Sequence, residues 1–180
     1  HENEIAQTEA VTGQTFAKYW MHNGFVTMGD EKMSKSIGNV KLVKDLREEY
    51  DPDVLRFFLS TAHYRRPLTY SEVALADAKA NITHIKTAIQ NAYYRMNMAT
   101  EALPDDAKRK EQWDEYIARF IEAMDDDFQT QNGITVVYEM IRELNRMLEQ
   151  TEVSKVVLET MLNSLTEILA IFGIENIQVD

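Results

Sequence analysis

Two lysines three residues apart, Lys32 and Lys35, are the side chains in this sequence best suited to phosphate chemistry. They lie in residues 31–39, here named the lysine loop, together with Ser34 and Ser36. Lysine ammonium groups act as point charges toward phosphate oxygens, and hydroxyl and backbone N–H groups add hydrogen-bond donors. Such a loop fits a role in closing over a polyphosphate and meeting the charge that develops on a leaving pyrophosphate. The alternative for any Lys-x-x-Lys pattern is a solvated turn.

The elements around the lysine loop are predicted from turn and capping signals. Residues 25–28 fit a short strand and Gly29-Asp30 a hairpin turn, so the loop would follow a β-hairpin. Asp51 is expected to cap a helix that begins at Pro52. The apolar face predicted for this helix consists of Val54, Leu55, Phe58 and Leu59.

Segments farther from the lysine loop are predicted in the same way. Residues 2–10 fit the end of a helix that stops before Gly13. The aromatic run of residues 16–20 is expected to enter the core. Residues 63–70 are expected to form a loop, because Pro67 interrupts the pattern.

Residues 71–173 show helical periodicity throughout and predict four helices. Ser71 and Thr130 are candidate N-caps, and Gly133 near the start of the third helix is unexpected. Apolar residues three and four apart mark the stripes, which are Leu75, Ala78, Ile82, Ile85, Ile89, Ala92 and Met96; Trp113, Ile117, Phe120, Met124 and Phe128; Ile134, Val137, Ile141, Leu144 and Leu148; and Leu158, Met161, Leu162, Leu165, Ile168, Leu169 and Phe172. Four such stripes are typical of an antiparallel helical bundle.

The composition is that of a globular chain without disulfides. It has no cysteine, no apolar run near the roughly 20 residues of a membrane span, and a polar start unlike a signal peptide. The net charge of -11 disfavours a global nucleic-acid-binding surface. Residues 1–70 carry a net charge of -1 and residues 71–180 carry -10, so an RNA contact in the second half would need local basic patches.

Residues 32–36, Lys-Met-Ser-Lys-Ser, resemble the signature loop of class I aminoacyl-tRNA synthetases. Three further stretches, residues 1–7, 19–24 and 51–58, occur around it in a family-specific order. Together they resemble the cysteinyl-tRNA synthetases, strongly over residues 1–70 and less closely over the helical remainder.

The resemblance implies a mainly α-helical chain in two parts. Residues 1–70 would be the tail of a Rossmann-type catalytic domain, with the β-hairpin, the lysine loop and a stem-contact region. Residues 71–180 would hold an antiparallel four-helix anticodon-binding bundle. The chain begins at His1 inside a motif and lacks the family's His-Ile-Gly-His-type ATP motif, so we expect a C-terminal fragment that is inactive alone.

The activity that the resemblance implies is ATP-dependent activation of cysteine, followed by transfer of the cysteinyl group to tRNA(Cys). The expected partners are tRNA(Cys), cysteine and ATP with Mg²⁺, without a membrane, and we expect a cytoplasmic monomer. The family's second loop lysine contacts ATP phosphates, so Lys35 is predicted to be catalytic with Lys32 in support. The residues expected to bind the ATP phosphates are Lys32, Met33, Ser34, Lys35 and Ser36, with Gly38 and Asn39 shaping the backbone.

The zinc ligands of the family imply one metal contact in this chain. Glu4 matches the last residue of a His-His-Glu-Asn-Glu pattern whose first His and last Glu bind Zn²⁺, whereas His1 matches the second, non-ligand His. The remaining ligands would lie outside this chain. We therefore expect Zn²⁺ in the complete enzyme, where it would bind the substrate thiolate, and none in this chain.

Other polar and aromatic groups carry open alternatives. Trp20 and His22 either line the amino-acid or adenine pocket, or are a core tryptophan and a surface histidine. Residues 63–66, His-Tyr-Arg-Arg, either contact the inner corner of tRNA or form a solvated connection. The basic run 108–110 favours a solvated helix start, and the acidic run 125–127 favours turn and capping chemistry over a divalent metal site.

Two other functions remain open from the sequence. One is a ligase that passes activated cysteine to an amino sugar in the synthesis of a mycothiol precursor. The other is a non-catalytic tRNA-binding module. Amide formation with the sugar would identify the first, and a longer parent chain without the ATP motif and cysteines would identify the second.

Overall fold

The computed structural model describes residues 1–175 and residue 177, and within them it has seven helices and three short strands. In chain order these are α1 (Glu2–Thr12), β1 (Val26–Met28), β2 (Glu31–Lys32), α2 (Val43–Glu49), α3 (Pro52–Ser60), β3 (Leu68–Tyr70), α4 (Glu72–Met96), α5 (Asp106–Asp125), α6 (Thr130–Leu148) and α7 (Lys155–Ile171). None of the described helices combines the length and apolar character needed to cross a bilayer.

The three strands form one small sheet in the order β2-β1-β3. The predicted hairpin is confirmed, since β1 pairs antiparallel with β2 across a turn in which Gly29 has φ 61°. The loop predicted over residues 63–70 is wrong at its end, because β3 pairs in parallel with β1, with Val26 opposite Leu68. A three-residue strand carries too little alternation to be recognised, and Pro67 is allowed directly before it.

Helix α3 begins as predicted, with the Asp51 carboxylate accepting a hydrogen bond from the Asp53 N–H at 2.8 Å. Its buried face differs from the prediction. Phe57 is 2 % exposed whereas Leu59 is 53 % exposed. Because α3 packs on α4, the face that is buried follows the i, i+3, i+4 positions from Val54, and Leu59 lies beside that face.

Helices α4–α7 form the helical bundle, which holds most of the buried hydrophobic core. Helix α4 packs against α6 and α7, and α5 packs against the same two helices, so α4 and α5 lie across the bundle from each other. Apart from Phe128, the predicted stripes are confirmed as the core, with Met96, Ile117, Met124 and Leu148 only half-buried at its edge. Ser71 caps α4 as predicted, accepting from the Ala74 N–H at 3.0 Å.

The corner between α5 and α6 differs from the sequence prediction. Phe128 is 51 % exposed and lies outside both helices, so its assignment to the second stripe is wrong. Asp127 and Phe128 have φ 53° and 52°, and this left-handed backbone ends the helical pattern before Phe128. Thr130 is the first residue of α6 rather than its N-cap, and its hydroxyl donates to the Ala62 carbonyl at 3.2 Å.

Gly133 of α6 lies against side chains of α5. A Cβ at this position would lie 3.1 Å from the Met124 sulfur and 3.2 Å from the Phe120 ring. The glycine inside a helix is therefore explained by interhelical packing, at the cost of some intrinsic helix propensity.

The aromatic run of residues 16–20 does not enter the core, so that prediction is wrong. Tyr19 is 89 % exposed, and Phe16 and Trp20 are each 41 % exposed. Trp20 instead contacts the rings of Phe16, His1 and His22. The run lies between α1 and β1, whereas the core forms from α3, β3 and the helical bundle.

Candidate functional site

The hairpin of the small sheet places the lysine loop. The N–H of Met33 donates to the Val26 carbonyl at 3.1 Å, which extends the pairing of β1 and β2 by one residue. The Met33 side chain is half-buried and packs against the hydrophobic core. Met33, the first of the two residues between the lysines, therefore anchors the loop, and the chain leaves the sheet immediately after it.

A single side chain closes the lysine loop on itself. The N–H of Ser34 donates to the Asn39 side-chain oxygen at 2.8 Å, and the Asn39 amide donates to the Lys32 carbonyl at 3.3 Å. Gly38, with φ 76°, donates its N–H to the carbonyls of Ser34 and Lys35, each at 3.2 Å. The expectation that Gly38 and Asn39 shape the backbone of this loop agrees with these contacts.

The two lysines have different surroundings. The Lys32 ammonium lies 3.9 Å from the centre of the Phe25 ring, a cation–π contact that directs the side chain along the hairpin. Lys35 is exposed at the tip of the loop. Within the part of the chain that the structure describes, neither lysine forms a salt bridge with a carboxylate. Both positive charges therefore remain available to an anionic ligand.

The loop serines lie next to each other. The hydroxyl oxygens of Ser34 and Ser36 are 3.1 Å apart, so one donates to the other. The structure thus brings Lys32, Met33, Ser34, Lys35 and Ser36 into one closed loop. The predicted metal contact Glu4 is on α1, a separate element.

Glu4 lies in the first turn of α1, with its carboxylate 2.9 Å from the amino group of His1. No cluster of three His, Cys, Asp or Glu residues suited to a metal occurs among the described residues, and the chain contains no cysteine. Glu4 as one ligand of a larger zinc set therefore stays a prediction.

Trp20 and His22 form part of the exposed aromatic group next to α1. Their rings are stacked with centroids 6.3 Å apart, and the His1 ring lies 4.6 Å from that of His22. The alternative of a core tryptophan is wrong, because Trp20 is partly exposed. Their role in lining a pocket stays a prediction.

Residues 63–66, which carry basic and aromatic side chains, contact the acidic run 125–127 at the corner between α5 and α6. His63, Tyr64, Arg65 and Asp127 form what we name the corner cluster. The Tyr64 hydroxyl donates to the Asp127 carboxylate at 2.6 Å, and the Arg65 guanidinium forms an ion pair with it at 2.8 Å. The hydrogen bond from Tyr64, followed by that from Arg65, lowers the pKa of Asp127. The acidic run therefore serves turn geometry at Asp127, as the sequence favoured.

The buried His63 ring makes two further hydrogen bonds within the corner cluster. Its Nε2 donates to the Asp127 carbonyl at 3.1 Å, and its Nδ1 accepts from the Arg65 N–H at 3.2 Å. These two contacts fit a neutral imidazole with its proton on Nε2. Sequence reasoning placed these residues in a tRNA contact or a solvated connection, and it missed their link to Asp127, which lies more than 60 residues away.

Gly24 joins the start of the small sheet to the same segment. Its N–H donates to the Tyr64 carbonyl at 2.6 Å, and a Cβ at this position would overlap the Arg66 carbonyl. The close approach requires glycine here. Arg66 itself is exposed, and none of the carboxylates in the described part of the chain forms a salt bridge with it.

The basic run 108–110 is tied to its own helix start, as favoured by the sequence. Arg109 forms an ion pair with Asp105 at 2.7 Å and donates to the Gln150 side chain at 2.8 Å. Arg109 therefore holds the start of α5 against the segment before α7.

Two polar networks connect the first half of the chain to α4. The buried Asp53 carboxylate accepts from Lys86 at 2.6 Å. Glu72 accepts from Tyr50 at 2.7 Å and from Tyr70 at 2.8 Å. Burial and the bond to Glu72 raise the pKa of Tyr70 to about 12. No local sequence signal identifies these pairs, because most partners lie on different elements.

Two family models match the chain. That of the class I (C) tRNA synthetase catalytic domain matches residues 1–80, which include the lysine loop. That of the DALR domain matches residues 119–176, which cover the end of α5 together with α6 and α7.

Curated relatives match the chain along nearly its whole length. It is 52 % identical to a cysteine–tRNA ligase of Enterococcus faecalis over 97 % of this chain and 37 % of the relative. It is 50 % identical to one of Pediococcus pentosaceus over 100 % of this chain and 38 % of the relative. The one of Bacillus pumilus is 44 % identical over 96 % of this chain and 37 % of the relative. The chain thus spans little more than a third of the length of the relatives it matches.

A solved structure shares the fold. It is a crystal structure of a ternary complex of LeuRS, tRNA and LeuAMS from Agrobacterium radiobacter K84, with a TM-score of 0.67 and 22 % identity over 83 % of this chain and 20 % of that chain. Both family models and the curated relatives point to the same family. The small sheet with its closed lysine loop and the helices that follow are consistent with that assignment. The chain therefore belongs to the cysteine–tRNA ligase family of class I aminoacyl-tRNA synthetases.

Proposed function

We propose that this chain is part of a cysteine–tRNA ligase, which uses ATP to activate cysteine and transfers the cysteinyl group to tRNA(Cys). The observation that carries the proposal is the closed lysine loop, whose two lysines have no carboxylate partner among the described residues. It occurs in a chain 52 % identical to a cysteine–tRNA ligase over 97 % of its length.

The lysine loop is assigned to the activation step. When the cysteine carboxylate attacks the α-phosphorus of ATP, negative charge grows on the departing pyrophosphate. Lys35 and Lys32 would neutralise that charge, and Ser34 and Ser36 would donate hydrogen bonds to phosphate oxygens. ATP is expected to enter with Mg²⁺, which would share the same task.

The helical bundle is assigned to tRNA binding. In this proposal the catalytic part of the chain ends at residue 70, and the tRNA-binding part begins at residue 71. Its net charge of -10 over residues 71–180 means that phosphate contacts would come from local groups rather than from the overall field. The exposed Arg66 next to the bundle is one such group. We further propose a monomer that acts in the cytoplasm, where tRNA is charged for translation.

The activity is tested on the complete ligase that contains these residues. Cysteine-dependent exchange of pyrophosphate into ATP, together with cysteine transfer to tRNA(Cys), is the expected result. Exchange without transfer to tRNA, but with amide formation on an amino sugar, would contradict the proposal in favour of the sugar ligase. If the complete protein catalyses neither reaction, the proposal is contradicted in favour of a non-catalytic module.

Binding by the bundle is tested on this chain. We would titrate it with tRNA(Cys) and with an anticodon-substituted tRNA(Cys) over a salt series. Phosphate contacts make the logarithm of the affinity fall linearly with the logarithm of salt concentration, whereas base readout appears as a difference between the two RNAs. Tighter binding of the native anticodon is expected, and equal binding of both RNAs would contradict anticodon recognition.

A further inference from the structure

The corner cluster lies between two parts of the molecule that carry different tasks in the proposed reaction. On one side is the small sheet, from which the lysine loop extends, and on the other is the helical bundle. We propose that Asp127 is a positioning residue that fixes the orientation of the small sheet on the helical bundle.

The bundle side of this connection is the turn between α5 and α6. Asp127 and Phe128 are the only non-glycine residues with positive φ among the described residues. A left-handed backbone is unfavourable for a phenylalanine, so surrounding contacts must hold it there. Besides the backbone hydrogen bonds within the turn, those contacts include the bond from His63 to the Asp127 carbonyl and the bond from Thr130 to the Ala62 carbonyl.

The sheet side begins at the segment that Asp127 holds. The Tyr64 carbonyl accepts from the Gly24 N–H at 2.6 Å, immediately before β1. Three residues after Arg65 the chain enters β3, which pairs with β1. Strand β1 in turn pairs with β2, where the lysine loop starts. The pairing of β3 with β1 and of β1 with β2, together with a hydrogen bond between the hydroxyls of Thr27 and Thr69, thus connects the segment at residues 62–66 to the lysine loop.

The carboxylate of Asp127 supplies what the backbone contacts lack. The bonds of His63 and Thr130 hold the segment at two points, His63 and Ala62, and two points leave rotation about the line that joins them free. The Asp127 carboxylate accepts from both the Tyr64 hydroxyl and the Arg65 guanidinium, on successive residues. Two further points of contact define an orientation. An exposed ion pair adds little to global stability, so the effect expected from its removal is geometric.

The first test measures orientation directly. The chain has no cysteine, so Asp30→Cys in the hairpin turn and Asp114→Cys on α5 would carry two spin labels at unique positions. Pulsed electron resonance would give the distribution of distances between them. Asp127→Asn is expected to broaden that distribution, whereas Asp126→Asn in the same turn is the matched control and is expected to leave it unchanged.

The outcomes decide the proposal. An Asp127→Asn distribution that matches the parent would overturn it. If Asp127→Asn does not fold, Tyr64→Phe removes one of the two contacts and is expected to broaden the distribution less. A parental distribution in Tyr64→Phe would then overturn the assignment. Broadening in Asp126→Asn equal to that in Asp127→Asn would do so as well, because it would reflect the charge of the turn alone.

The consequence for catalysis rests on the proposed function. Of the two parts that meet at the corner cluster, activation needs only the one that carries the lysine loop, whereas transfer needs the loop and the bound tRNA in one geometry. In the complete ligase, Asp127→Asn is expected to lower single-turnover transfer to tRNA roughly tenfold to a hundredfold while leaving pyrophosphate exchange within about twofold. Equal loss of both rates, or none, would contradict a positioning role in transfer. If the complete ligase without the substitution shows no pyrophosphate exchange, the proposed function is contradicted. The distance measurement would still test the positioning role of Asp127.

Discussion

The side chain of Asn39 spans the base of the lysine loop, since it accepts from the Ser34 N–H at 2.8 Å and donates to the Lys32 carbonyl at 3.3 Å. Both contacts are to backbone groups, so they fix the path of the chain between the two lysines. The amide supplies an acceptor and a donor at its two ends, so one side chain links the end of the loop to the backbone at both Lys32 and Ser34.

Replacement of Asn39 tests whether this closure supports catalysis. Two neutral hydrogen bonds contribute about 1 kcal/mol each at most, so Asn39→Ala in the complete ligase should slow pyrophosphate exchange by roughly tenfold. Asn39→Asp keeps the acceptor for Ser34 and should lose less. The control Asn163→Ala, on the exposed face of α7, should leave the exchange rate unchanged. A parental rate in Asn39→Ala would show that the loop closes without this side chain.

Lys35→Ala tests the role of the exposed loop lysine. Because charge on pyrophosphate grows in the transition state, the rate of adenylate formation should fall by roughly a hundredfold while the Kd for ATP changes by less than about threefold. Rapid-quench measurement of adenylate and equilibrium ATP binding would separate the two quantities. Lys41→Ala, an exposed lysine just after the loop, is the control. Equal losses in rate and ATP affinity would rule out a transition-state role for Lys35.

The ion pair of Asp53 and Lys86 should stabilise the contact of α3 with α4. Asp53 is buried, so Lys86→Met would leave its carboxylate without its closest partner, with Arg56 3.6 Å away as a partial replacement. The free energy of unfolding in urea should fall by about 3 kcal/mol, against less than about 0.5 kcal/mol for the exposed control Lys79→Met. The double variant Asp53→Leu, Lys86→Met should recover part of the loss. Additive losses would show that the two groups do not interact.

The raised pKa of Tyr70 leads to a prediction about stability and phenol titration at alkaline pH. Its pKa is raised from 10.0 to about 12 by burial and by the hydrogen bond to Glu72, so the folded state favours the neutral phenol. This contribution to stability is complete below pH 10 and is lost as the pH rises through about 12. In a titration of phenolate absorbance, the amplitude removed by Tyr70→Phe should have its midpoint near 12. A midpoint near 10 for the lost amplitude would mean that the phenol is solvated.

Local patterns in the sequence predict most of the secondary structure correctly. Periodic apolar residues identify α4–α7, the Gly29-Asp30 turn identifies the hairpin, and Asp51 identifies the start of α3. These signals come from residues within a few positions of each other, so their effect on the backbone is decided locally. The errors occur at β3, Leu59 and Phe128, where a long-range partner or a backbone turn decides the outcome.

The lysine loop itself was recognisable, because its residue types are contiguous in the chain and carry their chemistry without a partner. Its closure by Asn39 is also within eight residues. The predicted core position of the aromatic run at residues 16–20 fails for the opposite reason. Hydrophobicity indicates a tendency to be buried, but it does not state against which element, and the core forms elsewhere.

The sequence alone therefore determined the helices, the hairpin and a loop suited to phosphate, since each depends on neighbouring residues. Only the tertiary structure decided that Asp127 meets Tyr64 and Arg65, that Asp53 meets Lys86, and that β3 pairs with β1. These pairs join residues from 33 to more than 60 positions apart. Their partners are selected by how the helices pack, because many surface carboxylates in this acidic chain offer a cation the same local chemistry.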